Sequence, residues 1–431
     1  MKKWLVCSWM LLAIQALHAQ ALEPGKRLNT FLDNRTNGQI QFQFEIRQRA
    51  ESRTGQLFGQ DRDLAADYIR TRIGLIAKPK AWMKIVATAQ DSRAPLYGIR
   101  PPSNVRDPLD LQQGYVELFS EKQRGFGLTA GRMMLNLGDT RLIGSPQWAY
   151  GARTWDTARL YHVSAHARFE VLFLATGVPR AGFNKPVLGD RIWGTYNTFD
   201  KVFGRHTVDA YVLRHDQNRP GGFLGSGTLG ITFFGTRWAL SLPKNFRSTT
   251  EVILQHGHLG DRPHRASAVA ATFGRRTEIA HHAFDIVAEY KYASGTKPGS
   301  DRHGTFDTLY PAAHDKFGHA DLMGWRNIQN TRTTATFTAR KNWNWILMYN
   351  NSWLAQATDA LYSIAARPVA RDPLGKSGRH VGQEWDLYTN YASGSITLGA
   401  GIGQFFPGEF IQQTTPGAHS RLLYLSTTYA F

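Results

Sequence analysis

Arg47, Arg70 and Arg72 sit in segments where charged and apolar residues alternate one by one. A guanidinium stays cationic at any working pH and grips carboxylates through a planar fork. Residues two apart along a strand point the same way, so such cations form a row. That row suits reversible anion binding, or Arg–Asp pairs that brace a wall. Two unit charges about 6 Å apart attract by roughly 0.7 kcal/mol in water, and more in a narrow low-dielectric space. Several weak sites in series select an anion without trapping it.

The elements carrying these residues read as strands. In 39–49, Ile40, Phe42, Phe44 and Ile46 oppose Gln41, Gln43, Glu45, Arg47 and Arg49. In 68–78, Ile69, Thr71, Ile73, Leu75 and Ala77 oppose Arg70 and Arg72. In 283–292, Phe284, Ile286, Ala288, Tyr290 and Tyr292 oppose Asp285, Glu289 and Lys291. A period of two over this length predicts half-buried strands, in a barrel or in a soluble sandwich. Roughly eighteen candidate strands follow from the strand and turn signals. The gaps between them alternate, long near 51–66, 91–108, 135–151, 177–189, 215–225, 295–327, 356–378 and 406–420, with a shorter member near 258–265. Short gaps include 78–80, 120–125, 242–247, 340–342 and 393–395. A membrane barrel sorts its connections in this way, with both termini at the periplasmic, short-turn side. The segment 189–205 is the weakest, so sixteen strands also fit.

The chain ends support the barrel. Leu423, Leu425, Thr427, Tyr429 and Phe431 share one face of a closing strand. Lys2 and Lys3 precede an apolar run from Trp4 to Leu17, and Ala19-Gln20-Ala21 offers a small-x-small cleavage site. Residues 1–21 therefore read as a secretory signal peptide, leaving 22–431 as one barrel domain. The single cysteine, Cys7, falls inside that leader, which excludes disulfide and thiolate chemistry from the mature chain. No later run reaches the ~20 apolar residues of a spanning helix. Charged residues make up 19%, against about 25% in average globular domains, as a weakly charged, aromatic-rich wall (aromatics 12%) requires. The net charge of +18 points to anionic solutes and lipopolysaccharide as partners after export, and not to nucleic acid.

Magnitudes assign the faces. An Arg or Lys on the lipid side near the midplane costs about 2–4 kcal/mol. Three such errors would consume most of a typical ~5–15 kcal/mol stability. Arg47, Arg70, Arg72 and Lys291 must then face a wet, electropositive lumen. Trp82, Trp343, Trp345, Tyr349, Tyr424 and Tyr429 are candidates for interfacial girdles.

Other signals carry less. Gly225-Ser-Gly-Thr-Leu-Gly230 has the G-x-G-x-x-G pattern without its strand–helix setting. Gly375-Lys-Ser377 lacks the upstream glycine of a phosphate loop. The histidine pairs 256/258, 281/282 and 314/319 come without a metal motif, and neither metal nor cofactor is expected. His162 and Ser164 share a face, the minimum for a barrel lipase, but no Gly-x-Ser-x-Gly elbow accompanies them. No catalytic residue is assigned.

Three stretches go further than barrel grammar. The first holds Arg70-Thr-Arg72, Lys78-Pro-Lys-Ala-Trp82 and Ala89-Gln-Asp-Ser-Arg93. The second holds Gly131-Arg132, Leu137-Gly-Asp-Thr-Arg141-Leu-Ile-Gly144, Trp148 and Arg153-Thr-Trp-Asp156. The third holds Thr305-Phe-Asp-Thr-Leu-Tyr310-Pro311, His314-Asp-Lys316 and Gly324-Trp-Arg-Asn-Ile328. With the Gly408-Glu-Phe410 region, they make the chain resemble the alginate export family of outer-membrane porins. The resemblance implies a monomeric all-β barrel, usually of eighteen antiparallel strands, passing an anionic polysaccharide through an arginine-rich constriction. By motif it makes Arg72, Arg132, Arg153 and Arg326 candidate lumen arginines, with Asp156 and Asp315 as acidic partners. The same stretches add Arg93, Arg141 and Lys316 as pore-lining candidates and Asp139 as a further acid. A periplasmic export partner is a further expectation. Alternatives are a small-anion porin, a barrel with a blocked lumen, and the barrel enzyme.

Overall fold

A computed structural model describes residues 24–97, 105–120, 124–180, 182–218 and 227–431. The proposed leader lies outside the described residues, as do Gly225 and Ser226. The alternating segments form strands β1 (Ile40–Thr54), β2 (Leu64–Lys80), β3 (Met83–Arg93), β4 (Asp107–Phe119), β5 (Gly125–Met133) and β6 (Trp155–Val163). Next come β7 (Ala167–Arg180), β8 (Gly182–Val202), β9 (His206–Gln217), β10 (Leu229–Ser241), β11 (Phe246–Leu259) and β12 (Arg262–Ile279). Then follow β13 (His282–Ala293), β14 (Ile328–Arg340) and β15 (Trp343–Leu354), a small hairpin of β16 (Leu361–Tyr362) and β17 (Pro368–Ala370), and β18 (His380–Ser393), β19 (Ile396–Pro407) and β20 (Ser420–Ala430). Helix α1 (Pro24–Thr36) precedes β1, and α2 (Glu409–Thr414) lies between β19 and β20.

All but β16 and β17 belong to one 18-stranded antiparallel sheet. It closes through β1 and β20, with Ile46 opposite Tyr429 and Ala50 opposite Leu425. Closure removes the free edges that a bilayer cannot solvate.

Connections sort as expected. One end carries the short turns 81–82, 203–205, 280–281, 341–342 and 394–395. The other carries 55–63, 134–154, 294–327, 355–379 and 408–419. β1 starts and β20 ends at the short-turn end. Two expected long gaps are paired backbone instead: 177–180 and 182–189 continue β7 and β8 as a hairpin, and 258–265 narrows to a tight turn at 260–261. The weakly patterned stretch 189–205 is the body of β8 as far as Val202, followed by the turn 203–205. Its alternation is obscured by a register shift near Ala175 and by Gly194. Gly194 (φ +147°) sits where a Cβ would lie 2.1 Å from the Val212 carbonyl oxygen.

The faces follow the solvation argument. Ile73, Leu75, Leu160, Val171, Leu254, Ile286 and Leu425 are exposed on the outer wall. Arg70, Arg72 and Lys291 point inward and are buried, Lys291 completely. Trp82 and Trp345 are exposed as girdle residues must be. Tyr424 is not one of them: it has the opposite parity to Leu423 and Leu425 and is 6% exposed, inside the bore.

Candidate functional site: a charged bore crossed by two loops

β1 and β2 lay a cationic row on the inner wall. Arg47 stands opposite Arg70, and Glu45 opposite Arg72. Directly opposed like charges destabilise a sheet unless oxygens intervene. Glu45 supplies some, at 2.7 Å from Arg70 Nη2 and 4.0 Å from Arg72 Nη1. Glu51 takes Arg49 at 2.5 Å and Arg53 at 2.8 Å. Two carboxylates cannot neutralise these five guanidiniums.

The remaining donors go to the connection 134–154, which folds into the bore. Arg47 donates to the carbonyls of Gln147 and Trp148, both at 2.7 Å. Arg49 donates to the Trp148 carbonyl at 2.9 Å. Arg70 donates to the carbonyls of Gln147 and Ala149, and Arg72 to Gln147 Oε1 at 2.8 Å. The Arg49 guanidinium also lies over the Trp148 ring, 3.6 Å from its centre.

Earlier in the same loop, Arg141 reaches acids on another part of the wall. Its Nη2 is 2.5 Å from Glu289 Oε1 and its Nε 3.9 Å from Glu251 Oε2. Glu289 also takes Lys291 at 3.3 Å and Arg332 at 2.6 Å. The 134–154 loop is therefore a strut from β1–β2 to β11–β13.

The 294–327 connection enters the same space. Lys291 donates to the Lys316 carbonyl, and Arg332 to that of Asp315 at 2.8 Å. Glu384 and Asp386 on β18 accept the backbone N–H groups of Ala320 (2.8 Å) and His319 (3.3 Å). Gly318 (φ +117°) permits this approach, since a Cβ there would meet Glu384 Cδ at 2.3 Å. The loops join where His314 stacks on Trp148, ring centres 4.0 Å apart and planes 3° apart. His314 Nδ1 is 2.8 Å from Asp321 Oδ2, and His319 packs edge-on against Trp148. Burial, reinforced by the neighbouring His314, pushes the His319 imidazole down to about 3.

A second buried chain ties this loop to β9. Arg326 Nη2 contacts Asp307 Oδ1 at 2.7 Å, and Asp307 Oδ2 contacts His215 Nδ1 at 3.0 Å. His215 Nε2 contacts Asp190, which accepts the Tyr310 hydroxyl. Burial would raise the Asp307 carboxyl. The hydrogen bond to His215 and the Arg326 charge outweigh it and hold that group well below the usual range. Arg153 donates to the Gly144 and Pro311 carbonyls and so links both loops. Burial lowers its guanidinium from the ordinary arginine value.

The expected site residues thus divide. Arg47, Arg70, Arg72, Arg141, Arg153 and Arg326 converge on the two inserted loops. Arg93 does not: Ile85, Ala87 and Ala89 share its strand face, and it pairs with Asp91 at 2.8 Å on the outer side. Arg132 and Asp156 pair at 2.7 Å, but their other partners are Asp110 and the carbonyls of Leu111 and Asn184, apart from the cationic row. Asp139 holds Arg237 at 2.7 Å. Asp315 was expected to hold an arginine by its carboxylate and does so by its main-chain carbonyl; its side chain lies 3.9 Å from Lys316 Nζ. Sequence reading missed Glu45, Glu51, Glu289 and Arg332 as partners. Their strand parity was the available signal. His162 packs on Phe126, while the Ser164 hydroxyl donates to the Ala167 carbonyl, so each is engaged separately. Among the described residues no group of three His, Cys, Asp or Glu could hold a metal ion.

The fold has close counterparts. The outer membrane protein opdK from Pseudomonas aeruginosa superposes with TM-score 0.60 at 8% identity, covering 91% of this chain and 98% of that one. OccAB4 from Acinetobacter baumannii gives 0.58 at 9%, covering 91% and 98%. OccK2 (OpdF) from P. aeruginosa, solved in complex with glucuronate, gives 0.58 at 10%, with the same coverages. No curated protein matches the sequence. The family model described as alginate export matches residues 38–424. An 18-stranded barrel with an apolar outer belt is an integral outer-membrane protein, and this chain belongs to the alginate export family.

Proposed function

We propose that this outer-membrane channel passes anionic saccharides of the uronate class through its arginine-rich bore. One observation carries the reading. The inward guanidiniums of β1 and β2 already coordinate oxygen, in the form of loop carbonyls. A carboxylate is a stronger acceptor for the same donors. Arg72 Nη2 and Arg47 Nε are buried without an acceptor among the described residues, so the loops do not satisfy every donor of the row. The row thus exchanges loop oxygens for solute oxygens, and each exchange is small enough to permit release. The glucuronate bound by OccK2 supports a uronate as the solute class. Diffusion drives the passage. On this reading the short-turn end with both termini faces the periplasm, lipopolysaccharide surrounds the long-loop end, and the barrel works as a monomer. Any export partner docks at the short-turn end.

Planar-bilayer recording tests the proposal. Wild type should prefer anions in a salt gradient and show concentration-dependent block by oligouronates. Arg70→Glu with Arg72→Glu should reverse the preference. Cation preference in wild type would refute the reading. Anion preference without uronate block would leave a general small-anion porin. Lipid hydrolysis that is lost in Ser164→Ala would favour the enzyme.

A further inference from the structure

Helix α1 has no part in the bore. Phe44 and Phe431 exchange both backbone hydrogen bonds, each 3.0 Å, at the last pair of the β1–β20 seam. Two residues earlier, the N–H and C=O of Phe42 point to the same side, since an antiparallel strand turns the same edge outward every second residue. There Asn29 Oδ1 accepts from Phe42 N at 2.9 Å and Asn29 Nδ2 donates to Phe42 O at 3.0 Å. The carboxamide takes the place of a strand residue. Thr36 Oγ1 accepts from Ile40 N at 3.2 Å. Gly25 lies so close to the Phe431 ring that a Cβ would fall 1.9 Å from its Cγ. That ring packs with Phe42, Phe44 and Tyr429. Tyr429 and Phe431 have the lipid-side parity of Leu423 and Leu425, so α1 sits on the outside of the seam.

Gly25, Asn29, Leu32 and Thr36 fall on one helical stripe, the one against the barrel. Leu28, Phe31 and Arg35 form the adjoining flank. Phe31 is 56% exposed and Leu28 37%. The Arg35 guanidinium lies over the Phe31 ring at 5.4 Å. We infer that α1 clamps the barrel seam through Asn29 and rests its Leu28–Phe31 flank in the phospholipid headgroup layer at the short-turn end. The occupant is a glycerophospholipid. The flank continues the apolar outer wall, and Arg27 and Arg35 supply charge for its phosphates. Interfacial helices combine an apolar side and basic residues in this way.

The only cysteine is Cys7, so single-site labelling is simple. In a Cys7→Ser background, Phe31→Cys, Leu28→Cys and Asn34→Cys are labelled with an environment-sensitive fluorophore. The full chain is refolded into phosphatidylethanolamine–phosphatidylglycerol vesicles, with heat-modifiable gel mobility confirming the barrel each time. Labels at 28 and 31 should be quenched several-fold more by headgroup-region spin-labelled lipid than the label at 34, with aqueous iodide giving the opposite order. Equal iodide access at 31 and 34 would overturn the inference. So would protection of 31 only at high protein-to-lipid ratio, which would identify a second copy as the occupant. Asn29→Ala should also lower the temperature at which the folded gel band is lost; no change would remove the clamp.

Discussion

The Arg49 guanidinium carbon lies 3.6 Å from the centre of the Trp148 ring, and His314 lies 4.0 Å from the same centre with its plane parallel. Two groups that close to one ring must occupy opposite faces. Trp148 is thus held between the β1 wall and the 294–327 loop, and it couples both inserted loops to the cationic row. A desolvated cation–π contact contributes about 2 kcal/mol.

Trp148→Ala should free both loops together. Single-channel recordings should show larger conductance and more frequent transitions, with anion preference retained because the arginines remain. Conductance equal to wild type would show that the loops are held without this contact.

Glu289 is the shared acceptor for Arg141, Lys291 and Arg332. Removing one member of a buried ion cluster strands its partners, at a cost of about 3–5 kcal/mol. Glu289→Gln should therefore destabilise more than Arg141→Met, which leaves Glu289 two cations. The temperature at which the folded band disappears on gels should fall in the order wild type, Arg141→Met, Glu289→Gln.

Protonation of the buried histidines works against the loop junction. His319 has a folded-state value of about 3, below the ordinary histidine value of about 6.5. The released imidazole therefore binds protons more readily between those values, and this group opposes docking increasingly as pH falls through that window. His303, lowered to about 4 by burial, acts in the same direction. Protection factors of 303–323, which remove the intrinsic pH dependence of amide exchange, should fall less from pH 7 to pH 5 in His319→Phe than in wild type.

Arg93 provides the control. It is half-exposed, outside the bore and, among the described residues, ion-paired only to Asp91. An exposed pair of this kind contributes little. Arg93→Ala should leave ion selectivity and conductance unchanged, whereas Arg72→Ala should alter both.

The alternation of residues was enough to read the strands and their two faces, and the sorting of long and short connections with the chain ends pointed to a closed wall. Side-chain direction along a strand is a local property, and a misplaced guanidinium in hydrocarbon costs kilocalories. For this reason the parity of Arg47, Arg70, Arg72 and Lys291 alone puts them on the face away from lipid. The same count, applied to Ile85, Ala87 and Ala89, would have put Arg93 outside. Tertiary structure alone decided what the inward charges touch. Arg47 and Gln147 are separated by 100 positions, and Arg141 and Glu289 by 148. Nothing local to either residue encodes those meetings. They depend on how two long connections fill a bore whose width is set by strand number and closure, and on which excess cations still need oxygen once the nearby carboxylates are taken.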